Sequence, residues 1–430
     1  MKLFLPLAVL VSMSGAIAQT PQSPLNLTLE DALERARRYG PQTLAANIAA
    51  LLAHEDTVQA RAALLPTANS FNQYIYTQPN GAGGPAYVSS DGTRVYTHQA
   101  AAHADIYAPG KRADYRKALA AEAVARAKAD VASRGLIATV VQDYYGLVVT
   151  ERKLTYAQQS LRDAETFVDI TQKQEAAGEV SRADVVKAQL QLEQRRIELQ
   201  NAQIDLEKAR ITLQVLIFPD YGRTFTVTDD LDRAAVLPLL AEIQTMAARN
   251  NPDIRAAEAT IEQQIHERSA ARAELYPSLS MDYFFGINAN EFALHTPEGF
   301  RNYGSLVQAQ VTIPVWNWGA TRSKIKQAEL RIQQARNELS FTQRQLLGNL
   351  NAFYLEAGAA ASLADSLRRS LDLAAESLRL TLLRYQAGEV TALEVVDAQS
   401  ALAQARNALA DGLVRHRVAV ANLQTITGAF

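Results

Sequence analysis

The chain has no cysteine among its 430 residues. That absence excludes disulfides, thiolate metal sites and a lipid carried on an N-terminal cysteine. Charge of neither sign is in excess: 43 Lys and Arg stand against 45 Asp and Glu, for a formal net charge of -2. A nucleic-acid partner, which needs a basic face, is therefore not expected. Beyond residue 18 there is no apolar run of about eighteen residues, so no helix is expected to cross a bilayer. Leu136 to Val149 comes closest, and Gln142 and Asp143 interrupt it. Entry into a membrane would have to be by strands. No phosphate loop is present either, because Asp105 precedes Gly110-Lys111 where a glycine would be needed and Arg112 replaces Ser or Thr. The six histidines are scattered. No metal, cofactor or acid-base set stands out, so an enzyme is not expected.

Residues 1–18 read as a secretory signal peptide, with Lys2, an apolar run from Leu3 to Val11, and Ala16-Ile17-Ala18 at the cleavage site. The remainder of the chain is duplicated. Ala177-Gly178-Glu179-Val180-Ser181, then Asp184-Val185-Val186, returns as Ala387-Gly388-Glu389-Val390-Thr391, then Glu394-Val395-Val396. Ala60-Arg61-Ala62 before Pro66 matches Ala271-Arg272-Ala273 before Pro277. Two copies of one unit are expected, over 19–218 and 219–430.

Proline is missing from Gly110 to Ala177 and from Gly319 to Ala387. Each tract reads as one helix of roughly 100 Å at 1.5 Å per residue. The second carries two apolar stripes, one of them Ile325, Ile332, Leu339, Leu346 and Phe353, which implies a neighbour on each flank. The glycine turns end these helices, and Ser181 and Thr391 cap shorter returns, giving helical hairpins over 110–217 and 319–427. Between short and long helices the period changes to two. Strands are expected at 67–78 and 94–107, and again at 279–290 and 303–313, each about as long as a membrane-spanning strand. His98 falls on the otherwise apolar side of its strand without evident reason. Four strands cannot close a barrel in lipid, so several copies must combine. Two copies would give eight strands and three would give twelve.

Ile313-Pro314-Val315-Trp316-Asn317-Trp318-Gly319, the paired Ala-Gly-Glu-Val turns and the duplicated layout make the chain similar to the TolC-type family of outer-membrane efflux proteins. The resemblance implies a mainly helical fold with a transmembrane β part. In it a homotrimer forms a 12-stranded barrel in the outer membrane of a diderm bacterium, continuous with a 12-helix periplasmic tunnel. It further implies a passive exit duct whose tips, Gly178, Glu179, Val180 and Ser181 with Gly388, Glu389, Val390 and Thr391, dock onto a periplasmic adaptor and an inner-membrane transporter. Glu394 and Asp397 match an acidic ring at the tunnel entrance, with six carboxylates in a trimer. Tyr385 and Asp184 match a tip latch; its usual arginine is Val390 here, with Arg182 as a substitute. An outlet for type I protein secretion and a pore-free periplasmic coiled-coil scaffold are the alternatives.

Overall fold

The computed structural model describes residues 25–77, 94–220, 222–233, 237 and 239–428. The expected signal peptide and the glycine-rich stretch 81–84 lie outside the described residues. The first half runs β1 (Leu25–Leu27), α1 (Leu29–Tyr39), α2 (Pro41–Ala62), β2 (Thr67–Tyr76), β3 (Arg94–Tyr107), α3 (Pro109–Ala176) and α4 (Arg182–Ile217). The second repeats that order as β4 (Phe225–Val227), α5 (Leu240–Asn250), α6 (Pro252–Ala273), β5 (Ser278–Ala289), β6 (Tyr303–Thr312), α7 (Ala320–Gln386) and α8 (Ala392–Thr427). Pro41 and Pro252 open α2 and α6, where a missing N–H costs nothing.

Four elements were not expected. β1 and β4 pair in parallel as a three-residue ladder, and α1 and α5 are helices of three turns. The ladder is anchored by Tyr144 on α3, whose hydroxyl donates to the Thr228 carbonyl at 2.8 Å and lies 3.1 Å from that of Leu27. Tyr144 belongs to the largest core cluster, with Val140, Leu147, Leu213 and Ile217. That core sits at mid-length on the hairpins.

β2, β3, β5 and β6 form one antiparallel sheet in that order. Its register places Tyr74, Tyr96, Met281, Tyr283, Phe285 and Val307 on one face. Gln73, Thr97, His103, Asp282, Gln308 and Gln310 share the other with Phe71, Ile75, Phe284 and Leu306. His98 stands opposite Asn72 across the β2–β3 ladder and bonds its side chain on the apolar face, with Phe292 edge-on at 6.4 Å. A polar side chain on that face is thus satisfied by its register partner.

Both outer strands of the sheet, β2 and β6, are exposed along their whole length. The helices end in the same way. α3 packs against α2, α4, α6 and α8, and α7 packs against α6 and α8. One flank therefore ends in α2 and α4, the other in α7. Leu190, Ile197, Ile204 and Ile211 recur every seven residues on α4 and remain exposed. Leu44, Leu51, Val58 and Leu65 do so along α2 and just beyond it. On α7, Leu355, Leu363, Leu373 and Leu380 are likewise exposed.

Candidate functional site at the helical tips

The sequence stops both long helices in one way. At the first tip the Gly178 N–H donates to the Glu175 carbonyl and the Glu179 N–H to that of Gln174, each at 2.9 Å. At the second, Gly388 donates to Tyr385 at 3.0 Å and Glu389 to Arg384 at 2.9 Å. This paired closure needs a left-handed residue, and Gly178 and Gly388 supply φ values of 76° and 77°. Both returns then begin with a capping box. The Ser181 hydroxyl donates to the Asp184 carboxylate at 2.7 Å, and the Thr391 N–H donates to that of Glu394 at 3.3 Å.

Beneath the turns one apolar cluster joins all four helices: Phe167 and Val168 from α3, Ala188 from α4, Tyr385 from α7, and Ala392 and Val395 from α8. Val180 and Val390 pack on its rim. Val390 thus fills space at the point where the resemblance led one to look for an arginine. The Tyr385 ring, fully enclosed, meets that of Phe167 at 5.2 Å. Its hydroxyl donates to Thr171 Oγ1 at 3.4 Å, because the Thr171 hydroxyl itself donates to the Phe167 carbonyl at 2.8 Å. Burial pushes the Tyr385 phenol pKa up; the Thr171 hydrogen bond works against that shift and the charge of Asp184 adds to it.

The expected latch residues are therefore neighbours without direct bonds. Asp184 is engaged by Ser181, and Arg182 reaches Glu175 on its own hairpin at 3.3 Å. Glu389 is paired with Arg384 at 3.4 Å. Glu394 and Asp397 lie one turn apart at the start of α8, with Glu394 engaged by Thr391 in the capping box. Sequence reasoning missed Thr171 and Phe167, whose only signal is their four-residue spacing under the tip. It also missed buried Arg195 on α4, which bonds Glu198 at 2.6 Å and Ser400 of α8 at 3.0 Å, tying the two hairpins. Among the described residues no cluster of metal-ligating side chains occurs, and no helix is long and apolar enough to cross a membrane.

A two-faced open sheet continued by duplicated helical hairpins defines a channel-forming envelope protein. The chain belongs to the outer membrane efflux protein family, whose sequence profile matches residues 32–217 and, a second time, 244–429. The outer membrane is its location. It is 26% identical to the outer membrane protein OprJ of Pseudomonas aeruginosa over 71% of this chain and 63% of OprJ. To the cation efflux system protein CusC of Escherichia coli K12 it is 26% identical over 68% of this chain and 64% of CusC. The alkaline protease secretion protein AprF of Pseudomonas aeruginosa is 21% identical over 73% of this chain and 66% of AprF. The matched stretch thus spans less than two thirds of each of these relatives. Among solved structures, the outer membrane protein VceC of Vibrio cholerae superposes with a TM-score of 0.77 at 18% identity, over 93% of this chain and 96% of VceC. A CusC structure gives 0.78 at 21% identity, over 93% of this chain and 91% of that one. At that identity these likenesses establish the fold.

Proposed function

We propose that three copies of this chain close into one outer-membrane duct, a twelve-stranded barrel above a twelve-helix tunnel, which serves as the passive exit of a tripartite efflux assembly. The observation that carries this reading is that every layer is unfinished at the same two flanks. β2, α2 and α4 end one flank and β6 and α7 end the other, with exposed apolar stripes along the helices. Such unlike flanks fit each other head to tail, and a head-to-tail contact closes into a ring when its rotation permits. Ring closure also removes the open sheet edges that lipid does not tolerate. The face of Tyr74, Tyr96, Tyr283 and Phe285 then meets lipid, and the face that carries Gln73, Thr97, Asp282 and Gln308, with Phe71, Ile75 and Leu306 among them, lines water. A pore-free scaffold has no use for so two-faced a sheet.

The tips are the surface that faces an adaptor and inner-membrane transporter in this reading, with Glu179 and Glu389 as the projecting charges. Charge reversal at both is expected to reduce crosslinking to the adaptor; undiminished crosslinking would remove the tips from docking. Glu394 and Asp397 form the acidic ring at the entrance, where like charges from three copies focus cations. The test is Glu394→Gln with Asp397→Asn in planar bilayers. Glutamine keeps the capping geometry while deleting the charge, so a loss of cation selectivity or divalent block reports the ring and not a frayed helix. Unchanged selectivity would refute it.

The similarity to AprF favours one second reading, an outlet for protein secretion, on the same fold and with the same ring. Copurification of the neighbouring inner-membrane partner separates the two: a proton-driven pump supports efflux, an ATP-driven exporter supports secretion.

A further inference from the structure

Away from tip and sheet, at the seam between the two repeats, lies a pocket of about 460 Å³ that the duct reading does not use. Its wall is unusually basic. Arg37 comes from the last turn of α1, Arg134 from α3, Arg249 from the end of α5 and Arg255 from the first turn of α6. Gly428, capping α8, completes the rim. The carboxylates at hand are fewer. Asp253 takes one Arg134 nitrogen, and Asp130 stands 3.9 Å from Arg255. Arg134 Nη1 is buried with no hydrogen-bond partner, and among the described residues neither Arg37 nor Arg249 makes an ion pair. Four guanidinium groups thus face two carboxylates, leaving an excess of about two positive charges. An unanswered guanidinium N–H in a pocket wall is costly, and an oxyanion answers it with two acceptors at once.

The duplication sharpens the point. The third residue after the helix-opening proline is Arg255 in α6 and Leu44 in α2. Arg255 is therefore not part of the repeated pattern. The seam is formed within one chain by α3 against α6 and α8, away from the α2, α4 and α7 flanks.

We propose that this pocket binds a doubly charged oxyanion of the phosphate class, and that the bound anion brackets α1 and α3 of the first repeat to α5 and α6 of the second. Arg134 lies about 38 Å along α3 from the sheet end, at 1.5 Å per residue. That puts the pocket out of reach of the headgroups of a bilayer holding the sheet, whose layer is only about 5–7 Å deep. The anion is therefore a soluble phosphate or a phosphate carried on a water-soluble chain. Bidentate forks from several directions suit a tetrahedral group better than a single carboxylate does.

The test is calorimetric titration of the full-length, detergent-purified protein with inorganic phosphate at constant chloride and pH 7, alongside thermal unfolding in phosphate and in chloride at equal ionic strength. The expected result is saturable binding at one site per chain and a melting temperature several degrees higher in phosphate. Arg255→Gln and Arg249→Gln should each weaken binding at least tenfold and abolish the phosphate-specific rise. Arg249 forms no ion pair among the described residues, so its substitution keeps the test valid should Arg134 variants fail to fold. A parallel titration with a short polyphosphate distinguishes the sources: tighter binding per phosphate marks a chain-borne ligand, equal binding a free ion. No saturable heat with either probe, or binding unchanged in Arg249→Gln with Arg255→Gln, would overturn the proposal.

Discussion

The two tip glycines carry the same left-handed geometry in both repeats. Nothing lies within 4 Å of where their side chains would begin, so substitution brings strain without a clash. Gly178→Ala and Gly388→Ala should each cost about 1–2 kcal/mol, read as a lowered urea midpoint. Tyr385 separates packing from hydrogen bonding. Tyr385→Phe loses only a 3.4 Å bond and should cost under about 1 kcal/mol, whereas Tyr385→Ala opens a cavity among Phe167 and Val395 worth roughly 3–5 kcal/mol. A large effect of Tyr385→Phe would instead restore a latch role for the hydroxyl. At mid-length, burial would raise the Asp229 pKa, but Arg152, bonded at 2.7 Å, and the Leu231 N–H outweigh it and hold the carboxyl below its ordinary value. A carboxyl lowered in the folded state stabilises above its unfolded pKa of about 3.9 and ceases to do so as pH falls through the folded value. Asp229→Asn should therefore lower the urea midpoint at pH 7 and flatten its decline below pH 4; an unchanged acid limb would count against the pairing.

The long helices and the four sheet strands were legible because each repeats its pattern over many residues. Two proline-free tracts and two glycine turns suffice to place α3, α4, α7 and α8, and strict alternation from Leu279 exposes β5. The short elements were not legible. A three-residue ladder such as β1 with β4 has no period to detect, and its existence depends on Tyr144, more than 100 residues distant from β1. α1 did carry a signal, the Thr28 and Asp31 capping box. At the tip, the family resemblance pointed to Tyr385 and Asp184 but could not say that Asp184 would be taken by Ser181, since that depends on turn geometry. The α4 stripe gives the element-scale prediction. Ile197→Glu with Ile204→Glu leaves the chain's own packing intact, because both side chains are exposed within it. It should shift the detergent-extracted protein to single chains in size-exclusion chromatography; an unaltered assembly would show that this stripe meets no neighbour.

For the whole molecule, the described chain is a segment of wall with two complementary rims. The sheet is open at β2 and β6 and the outer helices at α2 and α4 against α7, and with no cysteine in the chain the proposed association would rest on packing and strand pairing. In the proposed trimer, duplication within the chain would let the rims match, the first-repeat flank of one copy meeting a second-repeat flank of the next as α3 meets α6 and α8 inside one copy. The number of copies is then set by strand number and curvature, not by any one side chain. Native mass spectrometry of the protein extracted in mild detergent counts those copies directly. The account predicts particles of three chains, hence twelve strands; single chains as the only stable species, or a ring of two, would contradict it.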